Sequence, residues 1–215
     1  PTAGLARGHV QANLVILPAA EAAEFAEFCR LNPRPCPLLE QTAPGDPVPR
    51  AAAPTADLRS DVPRYRVFRQ GRFDSHEPTN ILELWRDDLV AFLIGSGITF
   101  DQALERAGVP TDKHRWVLRS AIPTEPAGCF RGNLVVTMRW LTPQQAIVAT
   151  QVTARFPFNH GAPIHIGDPA AIGADLAHPL FGPPAGAVPA GLVPVFWACG
   201  VTPQAAAEAA RVEFM

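Results

Sequence analysis

The N-terminal part of the chain shows two different hydrophobic patterns, one directly after the other. Residues 12–17 (ANLVIL) form a continuous apolar run that stops at Pro18. In the segment that follows, AEAAEFAEFCRLN, apolar residues recur at helical spacing: Ala22, Phe25, Phe28 and Cys29. A short continuous apolar run is typical of a buried strand, whereas a spacing of three to four residues indicates an amphipathic helix. The pattern therefore predicts a strand followed by a helix.

Proline then interrupts the pattern. Residues 33–63 contain too many prolines for regular structure, so we expect a long loop on the surface. Long ordered loops often carry function, which makes this one a place to search for binding residues. Residues 65–68 (YRVF), followed by Gln70 and Gly71, predict a strand that enters a hairpin.

The run ILELWRDDLVAFLIG, at residues 81–95, is interpreted as a helix. Its apolar positions fit one helical face: Leu82, Trp85, Leu89, Phe92 and Leu93. Gly95 or Gly97 would then end the helix.

The second half of the chain alternates predicted strands and helices. A short helix over residues 99–107, with Thr99 as its N-cap, precedes a strand-like run at residues 134–140 (LVVTMRW). Thr142 and Thr202 each follow a predicted strand and precede a proline, the residue types of a helix start. Such alternation favours an α/β fold in which helices pack on a sheet.

The charge balance and the lengths of the apolar runs argue against nucleic acid and membranes as binding partners. Eighteen Lys and Arg residues stand against 20 Asp and Glu, and no stretch gathers basic residues into a stripe that could follow a phosphate backbone. The longest apolar runs are shorter than the roughly 20 residues of a membrane span, and the N-terminus does not have the pattern of a signal peptide. We expect a cytoplasmic protein that binds neither nucleic acid nor a membrane, with homo-oligomerisation left open.

The four cysteines form no C-x-x-C pair. A chain of 215 residues can build its core without disulfides, so reduced thiols are expected. The spacing argues against a structural zinc site, although His160 and His165 keep a metal hypothesis open.

The densest polar chemistry lies in residues 155–168, RFPFNHGAPIHIGD. Arg155 could hold a substrate carboxylate through paired hydrogen bonds. The alternation around His165 turns its side chain away from its two isoleucine neighbours, and Asp168 follows at the end of that predicted strand. Histidine exchanges protons near neutral pH, and a nearby carboxylate can fix its tautomer. This segment is the first candidate for an active site, with an ordinary surface loop as the alternative.

Two further segments hold candidate binding residues. Residues 57–66 (DLRSDVPRYR) bring Arg59 and Arg64 close together, which suits an anion clamp or, alternatively, a solvated charged surface. Trp197 and Cys199 end an apolar strand just before a helix N-terminus, where open α/β sheets bind ligands. Cys199 is a candidate nucleophile there, with a buried structural cysteine as the alternative. The G-x-G-x-x-G, P-loop and G-x-S-x-G motifs are missing, so nucleotide-binding and α/β-hydrolase interpretations lose support.

A further pattern is distributed along nearly the whole chain. Its segments are PTAGLARGHVQANLVILP, FCRLNPRPCPLLE, DLRSDVPRYRVFR, DDLVAFLIG, PAGCFRGNLVVTMR, ARFPFNHGAPIHIGDPAAIG and PVFWACGVTPQAA. In number and order these segments resemble the D-glutamate cyclase family, although none is a catalytic motif on its own. Family members usually have Cys-Ser where this chain has Ser96-Gly97. They also have a helix before the PTAGLA segment and a tail after the last predicted helix.

The resemblance implies both a fold and a reaction. It implies an α/β fold with a three-layer sandwich-like domain, placed at residues 1–118 and 190–215, and a smaller α+β subdomain at residues 119–189. It implies a hydro-lyase that joins the amine of D-glutamate to its γ-carboxyl group, giving 5-oxo-D-proline and water without a metal or organic cofactor. A hydro-lyase on a different small carboxylate and a non-catalytic carboxylate-binding protein are the alternatives.

The implied chemistry gives the candidate residues hypothetical roles. The ammonium must lose protons to a base, for which His165 and Asp168 are candidates, and the departing oxygen needs an acid such as His160. The other candidates are expected to bind the substrate: Arg155, Arg59, Arg64, Trp197, Cys199 and Asn13.

Overall fold

The computed structural model describes residues 5–111 and 115–215. Its strands are β1 (Ala12–Pro18), β2 (Leu38–Gln41), β3 (Phe68–Arg69), β4 (Arg72–Phe73), β5 (Leu89–Gly95), β6 (Trp116–Pro123), β7 (Asn133–Leu141), β8 (His165–Ile166) and β9 (Val193–Ala198). Its α-helices are α1 (Ala19–Leu31), α2 (Asp101–Arg106), α3 (Pro143–Thr153) and α4 (Val201–Ala210). Short 3-10 helices lie at Gly97–Phe100, Pro157–Asn159 and Pro169–Ile172. Within the described ranges, no helix is long and apolar enough to cross a membrane.

The predicted first strand, β1, is the edge of a three-stranded antiparallel sheet. β5 lies at the centre of this sheet, between β1 and β2. α1 follows β1 directly, as the change of hydrophobic period predicts, and packs on one face of the sheet together with α4. Phe25 of α1 meets Phe92 of β5 edge to face, with ring centroids 4.8 Å apart. Aromatic pairs of this geometry stabilise a core beyond the area they bury, so the contact fixes α1 on the sheet.

The proline-rich segment and the residues that follow it, as far as Ile81, cover the opposite face of that sheet. Leu58, Tyr65 and Ile81 pack there against Ile16 and its neighbours. The hydroxyl of Tyr65 donates to the backbone oxygen of Leu58 at 2.8 Å, which satisfies a buried polar group. The predicted long loop is therefore mostly irregular yet packed on the core, and β2 is a short strand within it that the sequence did not indicate.

The helix predicted over residues 81–95 is wrong. Residues 89–95 form β5, and only Leu93 among them is more than marginally exposed. A run in which every position is apolar fits a helical period and a strand equally well, so the chosen positions could not separate the two. A central strand needs apolar side chains on both faces, which is what LVAFLIG provides.

The second sheet has four antiparallel strands in the order β6-β7-β9-β8. α2 and α3 cover one of its faces, where Leu141, Val152 and Trp197 meet. The other face carries a separate cluster that includes Leu118 and Phe196. Helices thus pack on both larger sheets, and the predicted α/β class is confirmed, although every strand pairing among the described residues is antiparallel.

Two local signals are confirmed. Thr142 begins α3 with a reciprocal cap, since its Oγ1 accepts from the Gln145 N–H at 3.2 Å and the Gln145 Oε1 accepts from the Thr142 N–H at 3.0 Å. Gln70 and Gly71 have φ angles of 50° and 70°. Two successive positive φ angles are what a two-residue turn between antiparallel strands requires, so β3 and β4 form the predicted hairpin.

Two predicted helix starts are displaced. α4 begins with Gly200 as its N-cap, and Thr202 is buried in the first turn, where its Oγ1 accepts from the Val135 N–H at 3.0 Å. Thr99 lies inside the 3-10 helix that precedes α2, and Ser96 caps that helix instead. In both places the threonine hydroxyl is used for a tertiary contact rather than for a cap.

The predicted domain boundaries stay a prediction. The strands of the first sheet come from residues 12–95, and those of the second come from residues 116–198. β9, which the predicted division assigns to the larger part, pairs with β7 and β8 in the second sheet.

Candidate active site

His160 occupies a left-handed turn after α3. Its φ is 77°, a conformation that costs a non-glycine residue about 1–3 kcal/mol and persists where the surroundings impose it. The preceding residue supplies this restraint, because the Nδ2 of Asn159 donates to the Ser96 oxygen at 3.1 Å and to the Thr99 Oγ1 at 3.0 Å. The turn therefore holds His160, which is only 3% exposed, against the segment that follows β5.

The tautomer of His160 is fixed by a backbone carbonyl. Its Nδ1 donates to the Arg34 oxygen at 2.8 Å, and because a carbonyl only accepts, Nε2 keeps its lone pair. Two flanking prolines restrict Arg34, and its Nη2 donates to the Ala162 oxygen. The nearby Asn32 side chain is bonded to both the N–H and the oxygen of Glu125, at 2.9 and 2.8 Å. The acceptor for Nδ1 is thus held in place from several sides.

Burial makes this imidazole neutral. It lowers the pKa of His160 from 6.5 to about 4; the hydrogen bond to the Arg34 backbone opposes this effect, and the Arg34 charge adds to it. At neutral pH the ring is therefore uncharged, with a lone pair at Nε2.

The Nε2 edge of the ring lies between two glycines. A Cβ on Gly97 would lie 3.5 Å from the Cδ2 of His160, and one on Gly200 would lie 3.7 Å from its Cε1. The same Cβ on Gly200 would overlap the Nδ2 of Asn13, at 2.1 Å. Within residues 5–111 and 115–215, neither Nε2 of His160 nor the Asn13 side chain has a hydrogen-bond partner. Two polar groups with free hydrogen-bonding capacity thus meet at the start of α4.

A groove of about 770 Å³ begins beside this meeting point. Asn13, Gly200 and Gln204 form a polar end where α4 begins, and apolar side chains of β1, β5 and the proline-rich segment line most of the rest. The charged residues of its lining are Asp61, Arg64 and Arg66. α4 starts at the polar end, where the helix dipole places partial positive charge. The groove offers a small polar molecule a route to Asn13 and a favourable potential for an anion.

Asn13 and His160 are the predicted site residues that the structure brings together. His165 and Asp168 have other contacts: Nε2 of His165 bonds to the Asp168 backbone oxygen at 2.8 Å, and the Asp168 carboxylate accepts from the Ala170 N–H at 2.9 Å. That carboxylate caps a 3-10 helix instead of orienting the imidazole. Among the described residues, no hydrogen bond or ring contact joins His165 or Asp168 to His160. Their catalytic roles stay predictions.

The three predicted carboxylate-binding arginines have separate surroundings. Arg155 is exposed just after α3. Arg59 holds Asp57, with Nη2 and Oδ2 2.7 Å apart, and Arg64 lies 3.3 Å from a Glu77 carboxylate oxygen. Both arginines thus already have an acidic partner, and Arg64 also lines the groove. Their binding roles also stay predictions.

Trp197 and Cys199 lie at the end of β9 and the start of the following turn. Trp197 is 2% exposed and its Nε1 donates to the Thr153 Oγ1 at 3.1 Å, so its ring is part of the core. Cys199 is half-buried, and burial raises the pKa of its thiol, which contacts Thr137. A raised pKa keeps the thiol protonated at neutral pH, which argues against a nucleophilic role.

Arg34, Gly97 and Gly200 were not singled out from the sequence. The Pro-Arg-Pro run does indicate a rigid carbonyl, and a glycine two residues after the end of an apolar strand indicates close approach to another group. What the sequence does not show is which partner each one meets, because that depends on the ends of β5 and β9 lying next to each other.

Comparison with known proteins identifies the family. The D-glutamate cyclase family model matches residues 90–215, a range that contains His160, the start of α4 and all of β5 except Leu89. The chain belongs to the D-glutamate cyclase family. Over its full length it is 54% identical to a relative from Bordetella petrii, of which it covers 83%, and 52% identical to one from Bacillus licheniformis, of which it covers 84%. Both relatives are named as hydro-lyases, and the present protein belongs to the same enzyme class, the lyases.

One solved structure is similar at the level of the chain trace. A nitrogen repressor-like protein from Methanococcus jannaschii is 11% identical, with a TM-score of 0.46 over 96% of this chain and 80% of that one. A likeness of this size carries no argument about the site.

Proposed function

We propose that this protein converts D-glutamate to 5-oxo-D-proline and water at the site formed by Asn13, His160 and Gly200. Family membership supports the reaction type. The observation that supports the location is the buried, neutral His160, whose Nε2 has no partner among the described residues. An unpartnered ring nitrogen on an otherwise buried histidine beside a groove is a candidate for contact with substrate.

The reaction is a proton-transfer problem without any redox change. The amino nitrogen attacks the γ-carboxyl carbon, so one C–N bond forms and one C–O bond breaks. The ammonium group gives up two protons in total, and the departing oxygen gains two and leaves as water. A group that accepts a proton from nitrogen and returns it to oxygen meets this requirement.

His160 has the chemistry for that transfer. The Arg34 carbonyl holds Nδ1, so Nε2 is the atom that can exchange a proton with the substrate. Its lowered pKa makes it a weak base in the empty site, but a carboxylate bound beside the ring favours the protonated form and raises that pKa. The amide of Asn13 and the N-terminus of α4 can stabilise negative charge on the carboxyl group during attack.

The direct experiment is to incubate the protein with D-glutamate and to follow 5-oxoproline by mass spectrometry, with L-glutamate as a parallel substrate. Loss of a general acid–base group ordinarily lowers turnover by about 10²–10⁴-fold, which is the effect expected for His160→Gln. His76→Gln, a change at an exposed histidine, serves as the matched control and should retain wild-type turnover.

Two outcomes would count against the proposal. Turnover that survives His160→Gln would remove the proton-transfer role. Absence of 5-oxoproline with the wild-type protein at high concentration would remove the reaction and favour a different small carboxylate as substrate.

A further inference from the structure

We propose that a substrate carboxylate binds at the N-terminus of α4, between the N–H of Gly200 and the Nδ2 of Asn13, and that it takes up one proton, shared with the Nε2 of His160. The choice of the D-glutamate γ-carboxylate as this group rests on the proposed function. The binding event itself can be measured without turnover.

The start of α4 has free capacity for an anion. α4 runs from Val201 to Ala210, and the N–H of its N-cap, Gly200, has no hydrogen-bond partner among the described residues. The first N–H groups of a helix point out of its end, where the dipole favours negative charge. Asn13 adds a second donor at the same point, since its Nδ2 lies where a Cβ on Gly200 would be. Gly200 therefore has an N–H with no partner among the described residues, and its lack of a side chain leaves room for the amide.

The histidine is the independent reason to expect a ligand here. His160 is only 3% exposed and the Nε2 edge of its ring lies beside Gly200. Its Nε2 nevertheless has no hydrogen-bond partner among the described residues. A lone pair at Nε2 would repel a carboxylate oxygen placed against it. A proton between the two atoms turns that repulsion into a charge-assisted hydrogen bond, which is stronger than a neutral one.

No negatively charged group of the described residues acts on the His160 ring, so a bound ligand would supply the negative charge beside it. Arg34 is the charged residue that acts on His160, and it is a cation. The Cys199 thiol, which precedes Gly200, is held protonated by burial at neutral pH. With no carboxylate of the described residues acting on the imidazole, its proton affinity rises when a carboxylate arrives from solution. Binding and proton uptake are therefore coupled.

The proton taken up on binding can be the first of the two that the departing oxygen receives. One ammonium proton then supplies the second through His160 and the other is released to solution, so that the net reaction neither consumes nor releases a proton. A carboxylate oxygen that shares a proton with His160 is a better leaving group than a bare one. The helix end thus selects the carboxyl group that will be attacked, and the other carboxylate of the substrate is left to the groove.

Glutarate is the probe, because it has the carbon chain and both carboxylates of glutamate but no amine with which to cyclise. Isothermal titration in two non-carboxylate buffers of different ionisation enthalpy gives the number of protons taken up per glutarate bound. We expect proton uptake by the wild-type protein that grows towards a single proton as the pH falls from 8 to 6.

Three variants separate the parts of the site. His160→Gln should bind glutarate without proton uptake, and Asn13→Ala should bind it about fivefold more weakly, the effect of one hydrogen bond of about 1 kcal/mol. His76→Gln should match the wild-type protein in both affinity and uptake.

The inference is overturned if wild-type protein does not bind glutarate, if it binds glutarate without proton uptake, or if His160→Gln retains the uptake. Proton-linked binding by a protein that does not convert D-glutamate would leave the inference standing and remove the proposed reaction. Turnover of D-glutamate without proton-linked binding would do the reverse.

Discussion

Acidification should destabilise this protein through His160 in particular. The pKa of His160 is lowered from 6.5 to about 4 in the folded protein, so above pH 6.5 the imidazole is neutral in both the folded and unfolded states and has no effect on the pH dependence. Between pH 6.5 and 4 the unfolded chain takes up a proton that the folded protein does not, and the free energy of unfolding falls as the pH falls. This group alone should remove about 2 kcal/mol at pH 5 and about 3 kcal/mol below pH 4.

Urea denaturation at pH 7.5 and pH 5, followed by tryptophan fluorescence, measures this loss. All other titrating groups contribute equally to the wild-type protein and to His160→Gln, so the variant should lose about 2 kcal/mol less between the two pH values. His76→Gln leaves the buried histidine in place and should show the full wild-type loss. An equal loss in His160→Gln and in the wild-type protein would refute the statement that burial keeps this imidazole neutral.

Three other substitutions test the packing around the site, each by chemical denaturation at pH 7.5. Asp101→Asn should lower the free energy of unfolding by about 3 kcal/mol, because the Asp101 carboxylate, 2.5 Å from Nη2 of the buried Arg139, neutralises that guanidinium. Asp88→Asn removes the acid of an exposed ion pair with Arg86 and should cost less than about 1 kcal/mol. Equal effects of the two substitutions would contradict this. Gly95→Ala should cost about 1–3 kcal/mol or more, since its Cβ would lie 1.8 Å from a backbone oxygen of the His160 turn. A neutral result would mean that the turn can move aside. Thr142→Ala should cost about 1 kcal/mol through the lost cap of α3, and no loss would show that the cap is dispensable.

Local sequence signals predicted local structure well and failed where tertiary contacts decide. The change of period at Pro18 predicted β1 and α1, and Thr142 predicted the start of α3, because each signal acts within a few residues. The run LVAFLIG was misread because its apolar residues satisfy a strand and a helix alike. Only the presence of a strand on either side, β1 and β2, makes the extended form the better one.

The candidate site shows the same division. Residues 155–168 were chosen for their density of polar groups, and that choice included His160 but grouped it with His165 and Asp168, whose contacts are elsewhere. Periodicity gives the faces of an element but not which loop meets it. Asn13, far away in the sequence, approaches His160 only because the start of β1 lies near the residues that follow β9.

The proposed function gives a reason for a histidine at position 160. Asparagine is the non-glycine residue best suited to a left-handed turn, and its side-chain amide could also donate to the Arg34 carbonyl. The chain instead combines a strained φ, a depressed pKa and an open Nε2 in a single residue, while it satisfies the neighbouring Asn159 with two hydrogen bonds. Unfavourable features gathered at one residue of an otherwise well-satisfied turn are typical of a functional group. Nε2 is the feature of histidine that asparagine could not replace, so it is the atom on which the proposed function depends.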